Sequence, residues 1–393
     1  MFIYIIFLVF IAYCAYRYDI KGDKVNKKKA QWGLVVMLIL LAGLRNKIGS
    51  DSIGYEYNFD MYSDIFTMIK DRSLLESSQP MWIFFNGIVK TIFGDFIFFQ
   101  IIHASIVNVL IYNFIRKVTP YFFSTYFFFF IVSWWDLNFE ILRESLCVAM
   151  FLNGLLLLME KKWKPYIVIA IIAGLTHHFG IVMFLLAPAL FYTPKKILYV
   201  VSPILIVYLL FFLDQEKIML LVLALGDYIG ESAFDHASSY MSDGESFTTQ
   251  NFNGMVQIFL CGVISPIVLI LKNDKTERNF YFNRILLVYL VIYILQGQLV
   301  ILHRFLNYMY LIPIICTMEF VLNYKGSINV NKGLALLSML MLFYVKFSDF
   351  RRPPRSQPQW SQDYRYIPYK SVFQEPNAQT LNAFPFGTCG IIK

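Results

Sequence analysis

Residues 141–196 read ILRESLCVAMFLNGLLLLMEKKWKPYIVIAIIAGLTHHFGIVMFLLAPALFYTPKK. The hydrocarbon core of a bilayer is about 30 Å thick and takes roughly 20 apolar residues to cross as a helix. The block 141–160 fits one such crossing. The block 165–193 is too long for one helix, and Thr176, His177 and His178 interrupt it between Gly174 and Gly180. It therefore reads as a broken pair, 165–176 and 178–193. Backbone that leaves the helix at membrane depth is tolerated only where it packs on protein or lines a cavity. The basic connectors at 161–164 and 195–196 flank the pair, which fits two crossings that return to the same face by the positive-inside rule.

The same pattern extends in both directions. Further candidate spans are 2–16, 31–45, 97–115, 121–135, 197–213, 254–271, 281–296, 300–323 and 333–347, and the run 80–94 either crosses or lies at the interface. The expected fold is all-α: a polytopic integral membrane protein of about 11–13 transmembrane helices over 1–347, followed by a short polar, extracytoplasmic tail at 348–393. Composition agrees. Charged residues are 15% of the chain and hydrophobic residues 58%, against about 25% charged in a soluble domain. The formal net charge of +8 sits in short clusters between apolar runs, so it orients spans rather than binding nucleic acid. The five cysteines form no CxxC pair and read as apolar packing groups. The N-terminus lacks a basic leader and an A-x-A site, so it reads as a retained first helix.

If the basic connectors share the cytoplasmic face, the loops 46–79, 134–142, 176–180, 214–253 and 296–304 share the other, and four polar constellations fall there. In LAGLRNKIGSDSIGYEYNFD, Arg45 ends an apolar helix, Gly49 allows a tight turn and Tyr55 follows. Asp51 could cap the next helix, orient Arg45 or accept a proton; the competing reading is a helix-terminal cation followed by a capped helix. In SWWDLNFEILRES, Glu140 and Arg143 are three residues apart and are expected on one helix face. Charges at membrane depth usually face a polar cavity, and an arginine also suits bidentate recognition of phosphate; a purely structural pair is the plainer alternative. His177 and His178 could act as a base or a phosphate donor, or simply sit at a hinge. No metal site is expected, because the remaining histidines are scattered and no short-spaced ligand set completes one. In HRFLNYMYLIP, His303 and Arg304 open a run in which Arg304, Asn307, Tyr308 and Leu311 are expected on one face. Weaker candidates are Asp227, Glu231, Asp235 and His236. No P-loop, nucleophile elbow or HExxH signature is present, so ATP-driven, serine-hydrolase and zincin chemistry lack their motifs. Three arginines and a histidine pair on one face suit an anionic substrate, most simply a lipid diphosphate.

These motifs carry a resemblance. RNKIGSDSIGY resembles the R-x-x-x-G-x-D-x-x-x-Y signature of the EpsG family, Wzy-like polymerases of bacterial exopolysaccharide and capsule clusters. LRESLCVAMFLNG resembles that family's I-R-Q-x-[LI]-A helix, AGLTHHFGIVMFLLAP its A-x-x-x-H-x-S helix and HRFLNYMYLIP its late R-x-x-x-Y helix. DYRYIPYKSVF resembles a frequent C-terminal Y-x-P-Y ending. The matches run in order from Arg45 to Phe373. Three positions depart: Glu144 stands where Gln is usual, Gly180 where Ser often follows the His, and Gln79 in QPMW where a Glu-Pro is common, so Gln79 cannot supply that carboxylate.

The resemblance implies a GT-C-like enzyme of the bacterial inner membrane with an extracytoplasmic active face. It would polymerise undecaprenyl-diphosphate-linked oligosaccharide units, with lipid diphosphate as leaving group and no cofactor. On that reading His178, Asp51 and Arg143 are the expected catalytic residues, and Arg45, Tyr55, Glu140, His177, His303, Arg304 and Tyr308 the expected substrate-binding residues. The bilayer and the lipid-linked glycan are the expected partners, with a chain-length regulator and a flippase as candidates. The alternatives are a flippase or transporter of the same lipid, a glycan O-acyltransferase, and a non-catalytic assembly protein.

Overall fold

The computed structural model describes residues 2–49, 51–191, 256–272, 276–296, 302–323, 330–351, 366 and 369–374. It is 84% helical and has no strand among the described residues, which settles the all-α class. In chain order the α-helices are α1 (Phe2–Cys14), α2 (Lys27–Gly43), α3 (Ser52–Met61), α4 (Ile65–Lys70), α5 (Ser73–Glu76), α6 (Pro80–Phe93), α7 (Phe96–Val118), α8 (Phe122–Phe129), α9 (Leu142–Met159), α10 (Trp163–Thr176), α11 (Val182–Phe191), α12 (Ser265–Lys272), α13 (Glu277–Leu295), α14 (His303–Asn307), α15 (Leu311–Leu322) and α16 (Val330–Arg351). Wide π-type turns extend α1 over Ala15–Ile20, follow α8 at Phe130–Trp134 and Asp136–Glu140, and precede α12 at Ile258–Ile264.

Among the described residues, five helical runs are long and apolar enough to cross a bilayer: Phe2–Ile20, Phe96–Val118, Leu142–Met159, Glu277–Leu295 and Val330–Phe347. Six shorter apolar helices join them, so the chain is a multi-pass membrane protein. Helix α6 has 14 residues, about 21 Å at 1.5 Å per residue, which is short of the hydrocarbon thickness. The broken pair is present: α10 ends at Thr176, a 3-10 turn covers His178–Ile181, and α11 follows. The expected span 197–213 and the residues Asp227, Glu231, Asp235 and His236 lie outside the described residues.

The expected single helix over 300–323 is corrected: it is two segments, α14 and α15, joined by a turn at 308–310. Pro313 gives a physical reason, since it has no N–H to donate to the carbonyl of Met309. That carbonyl accepts from Ile312 N at 2.9 Å instead, which tightens the turn. Arg304 and Leu311 therefore do not share one continuous face.

The chain divides into two compact units, Met1–Met183 with Phe343–Lys393, and Phe184–Leu342. In the first, α2 and α7 pack so closely that a Cβ on Gly43 would lie 2.9 Å from Ile101 Cα, the small-residue approach used between membrane helices. Buried amides bind the bundle where apolar contact alone gives little specificity. Asn108 donates to Asn138 Oδ1 at 2.7 Å and accepts from Trp134 Nε1 at 2.8 Å, and Asn113 donates to Asn153 Oδ1 at 2.6 Å.

The basic connectors of this unit gather at one end. Lys27 Nζ pairs with Asp19 at 3.0 Å and donates to the carbonyl of Pro120 at 3.0 Å, while Asp19 accepts from Ser124 N at 2.8 Å. Lys117 lies within electrostatic reach of Glu160, which pairs with Lys162. Following α2, α9 and α10 along their lengths from that end brings the chain to Arg45, Arg143 and His177 at the other.

In the second unit, Arg278 grips Glu319 with two parallel bonds, Nη1–Oε1 at 2.8 Å and Nη2–Oε2 at 2.7 Å. Tyr289 packs on Tyr293 with tilted rings 5.3 Å apart and meets Tyr310 edge-on at 6.1 Å, and Gln257 Nε2 donates to the Tyr293 hydroxyl at 3.0 Å.

Candidate functional site

The loop after α2 is built around Gly49. Its φ is +100°, a region open to glycine and strained for other residues. A Cβ there would meet Phe139 O at 2.7 Å and Glu140 Oε1 at 3.3 Å. The chain can therefore lie directly on the π-type turn Asp136–Glu140, and this contact brings the Arg45 loop to the start of α9.

Arg45 itself is 1% exposed. Nη1 donates to the carbonyl of Ala42, and the guanidinium lies 5.3 Å from the centre of the Phe139 ring. Nε and Nη2 have no hydrogen-bond partner among the described residues. Its electrostatic neighbours are Tyr369, Glu140, Tyr55 and Tyr4.

Arg143 opens α9. Nη1 donates to Gln79 Oε1 at 3.0 Å, the guanidinium stands 5.9 Å over the Tyr55 ring, and the buried Nε has no hydrogen-bond partner among the described residues. Tyr55 is an electrostatic neighbour of both arginines. Burial pushes that hydroxyl up to about 12, with the Asp51 carboxylate adding to the rise and Arg143 opposing it through charge and hydrogen bonding. Arg143 also reaches Tyr62. The structure thus brings Arg45, Tyr55, Glu140 and Arg143 together.

The expected pairing of Glu140 and Arg143 on one helix face is corrected. Ile141, at φ −99° and ψ 55°, leaves the helical region and separates the two elements. Glu140 turns toward Gly49 and Arg45, while Arg143 turns toward Gln79 and Tyr55. Asp51 occupies the N-cap position of α3 but makes no capping bond with its side chain, and it is exposed.

The histidine pair divides its work. His177 is buried, has an extended backbone, and accepts from Phe179 N through Nδ1 at 3.3 Å, so it caps the 3-10 turn. His178 is exposed. At Gly180 a Cβ would meet Ala173 O at 2.2 Å, which leaves no space for a side chain there. Cys147, one turn beyond Arg143, donates to Ala173 O at 3.3 Å, and Ala173 is one turn before His177. Arg143 and the pair therefore sit at the same end of two packed helices.

His303, Arg304 and Tyr308 belong to the second unit. His303 and Arg304 are half-buried on α14, and Tyr308 is fully buried in the turn that follows. Among the described residues no group of three His, Cys, Asp or Glu side chains is arranged to hold a metal.

Two participants were not expected from sequence. Gln79 stood out only as a departure, yet it is the hydrogen-bond partner of Arg143. The Y-x-P-Y ending folds back on Arg45: Ser371 bridges Arg45, Val372 N donates to Leu44 O and Asn46 N to Lys370 O, both at 2.9 Å, and Tyr369 OH donates to Leu41 O at 3.0 Å. The motif could have pointed to this contact, because a recurrent aromatic pair in an otherwise polar tail needs somewhere to bury its rings.

No curated protein and no solved structure matches the chain. The EpsG family model matches residues 29–371, a span holding Arg45, Arg143, both histidines and the first part of the returning segment, and the chain belongs to the EpsG family.

Proposed function

We propose that this protein polymerises lipid-diphosphate-linked oligosaccharide repeat units, with undecaprenyl diphosphate as the carrier, at the extracytoplasmic face of the bacterial inner membrane. An acceptor sugar hydroxyl attacks the anomeric carbon of the donor chain. The glycosidic bond forms, the bond to the diphosphate oxygen breaks, and the acceptor proton passes to a base. Membership in a family associated with exopolysaccharide synthesis supports the class of reaction.

The observation that carries the reading is the state of Arg143. It stands at the N-terminus of α9, where helix dipole and guanidinium add. Among the described residues its hydrogen-bond partners are the neutral groups of Gln79 and Tyr55, and its buried Nε has none. A cation so held suits an oxyanion whose charge grows as the leaving group departs. His178 is the base we assign, because it is exposed at the same end of the helices while His177 is committed to its turn. Arg45, Tyr55 and Glu140 shape the acceptor side, and His303, Arg304 and Tyr308 bind the lipid-linked substrate.

A deletion strain complemented with wild-type, Arg143→Ala or His178→Ala protein tests this through the chain length of its lipid-linked glycans. Single repeat units on the outer leaflet with either variant support the assignment. Wild-type chain lengths with both reject it, and single units trapped on the inner leaflet indicate a flippase.

A further inference from the structure

The returning residues Tyr366 and Tyr369–Gln374 pack beside Arg45, which is almost wholly buried. Arg45 is anchored by Nη1 on the carbonyl of Ala42. Nε and Nη2, both without hydrogen-bond partners among the described residues, form the side-on edge of the guanidinium, the edge that meets two oxygens of a phosphate in parallel. Such an edge, 1% exposed, is a donor pair whose desolvation the neighbouring Glu140 carboxylate offsets only through its charge, since neither nitrogen hydrogen-bonds it; an oxyanion on the edge would offset the rest.

What separates it from the outside is a strap, not a helix. The antiparallel bridge between Arg45 and Ser371 sets the strap beside Arg45, and the Tyr369 hydroxyl is among its electrostatic neighbours. The strap holds on by backbone bonds at Leu44 and Asn46, by Tyr369 OH on Leu41 O, by Tyr4 OH on Tyr366 O at 2.6 Å and by Asn46 Nδ2 on Gln374 O at 2.8 Å. Its last two residues are exposed and the four before them half-buried. The other walls are less able to move. The end of α2 is locked on Ile101 through Gly43, and the turn at Phe139 lies against Gly49.

We propose that Arg45 is the donor of a diphosphate site covered by the C-terminal strap, and that the strap must lift before the diphosphate can bind. The identity of the substrate rests on the polymerase reading above; the cover and the site do not. Strap and anion then compete, and loosening the strap exposes the guanidinium.

The test is covalent labelling of Arg45 by phenylglyoxal in the purified full-length protein in detergent, read on the peptide that contains it. A Leu44→Cys/Val372→Cys pair in a Cys389→Ser background locks the strap, since these residues face each other across the bridge at Arg45 and Ser371. Oxidation is expected to slow labelling at least tenfold and reduction to restore it. Tyr369→Phe, which removes one strap hydrogen bond, is expected to speed labelling about fivefold. Farnesyl diphosphate or inorganic pyrophosphate is expected to protect Arg45 in the reduced protein. Protection by the prenyl compound at tenfold lower concentration assigns the anion to a lipid carrier, and equal protection assigns it to free diphosphate. Equal labelling in the oxidised and reduced states, or no protection by either compound, overturns the proposal. None of these readouts needs polymerisation, so a failure of the polymerase reading would leave them intact.

Discussion

Replacing Gly49 by alanine separates the two demands the site makes on that residue. The first is conformational: φ is +100°, and a Cβ in the left-handed region costs about 1–2 kcal/mol. The second is steric. The new Cβ would stand 2.7 Å from the carbonyl oxygen of Phe139, a backbone atom that moves only with its turn, and overpacking of this kind costs about 1–3 kcal/mol. The sum is about 2–5 kcal/mol. Two other glycines isolate the terms. Gly94 has φ +71° and nothing within 4 Å of its Cβ position, so Gly94→Ala carries the conformational term alone. Gly174 has neither a positive φ nor a neighbour, and Gly174→Ala in α10 should be neutral or stabilising by up to about 1 kcal/mol. Thermal melting of the three purified variants in detergent should rank Gly174→Ala at or above wild type, Gly94→Ala below it and Gly49→Ala lowest. A Gly49→Ala protein that melts with or above Gly94→Ala would refute the close approach of the Arg45 loop to Phe139.

Further outcomes follow from individual contacts. His177→Ala removes the acceptor that caps the turn and should lower stability by about 1 kcal/mol, whereas His177→Asn should recover most of it. His178→Ala, at an exposed position, should stay within about 0.5 kcal/mol of wild type in melting while abolishing polymer formation. Because Tyr55 is raised to about 12, its hydroxyl stays protonated throughout the physiological range. The loss of polymerisation in Tyr55→Phe should therefore be the same at pH 6 and pH 9, and a loss that grows toward pH 9 would mean the phenol titrates lower. In the second unit, a double-mutant cycle of Arg278→Ala and Glu319→Ala, read by melting, should give a coupling of about 1–3 kcal/mol, since the pair is bidentate and largely shielded.

Much of the fold is legible in the sequence because lipid enforces a simple rule: long apolar runs become helices and close their own hydrogen bonds. The break at His177 was legible for the same reason, as a polar interruption too deep to ignore. What was not legible is where helices stop for reasons other than polarity. The three-residue spacing of Glu140 and Arg143 predicts a shared face only if the helix is continuous, and Ile141 interrupts it. The run 300–323 keeps enough apolar residues around His303, Arg304 and Glu319 to read as one span, so only Pro313 signalled its division. The proximity of Arg45, Tyr55 and Arg143 depends on Gly49 settling onto Phe139, a contact between segments about 90 residues apart that no local pattern encodes. The strap is further still in sequence, joining the last described residues to the end of the second helix.

The most direct test of the polymerase reading is reconstitution of the purified protein in liposomes with lipid-diphosphate-linked repeat units and no nucleotide, followed by sizing of the glycan. The expected result is a ladder of lengthening chains with release of lipid diphosphate, collapsing to single units when Arg143 is replaced by alanine. Single units alone from the wild-type protein, or an undiminished ladder from the Arg143→Ala variant, would contradict it.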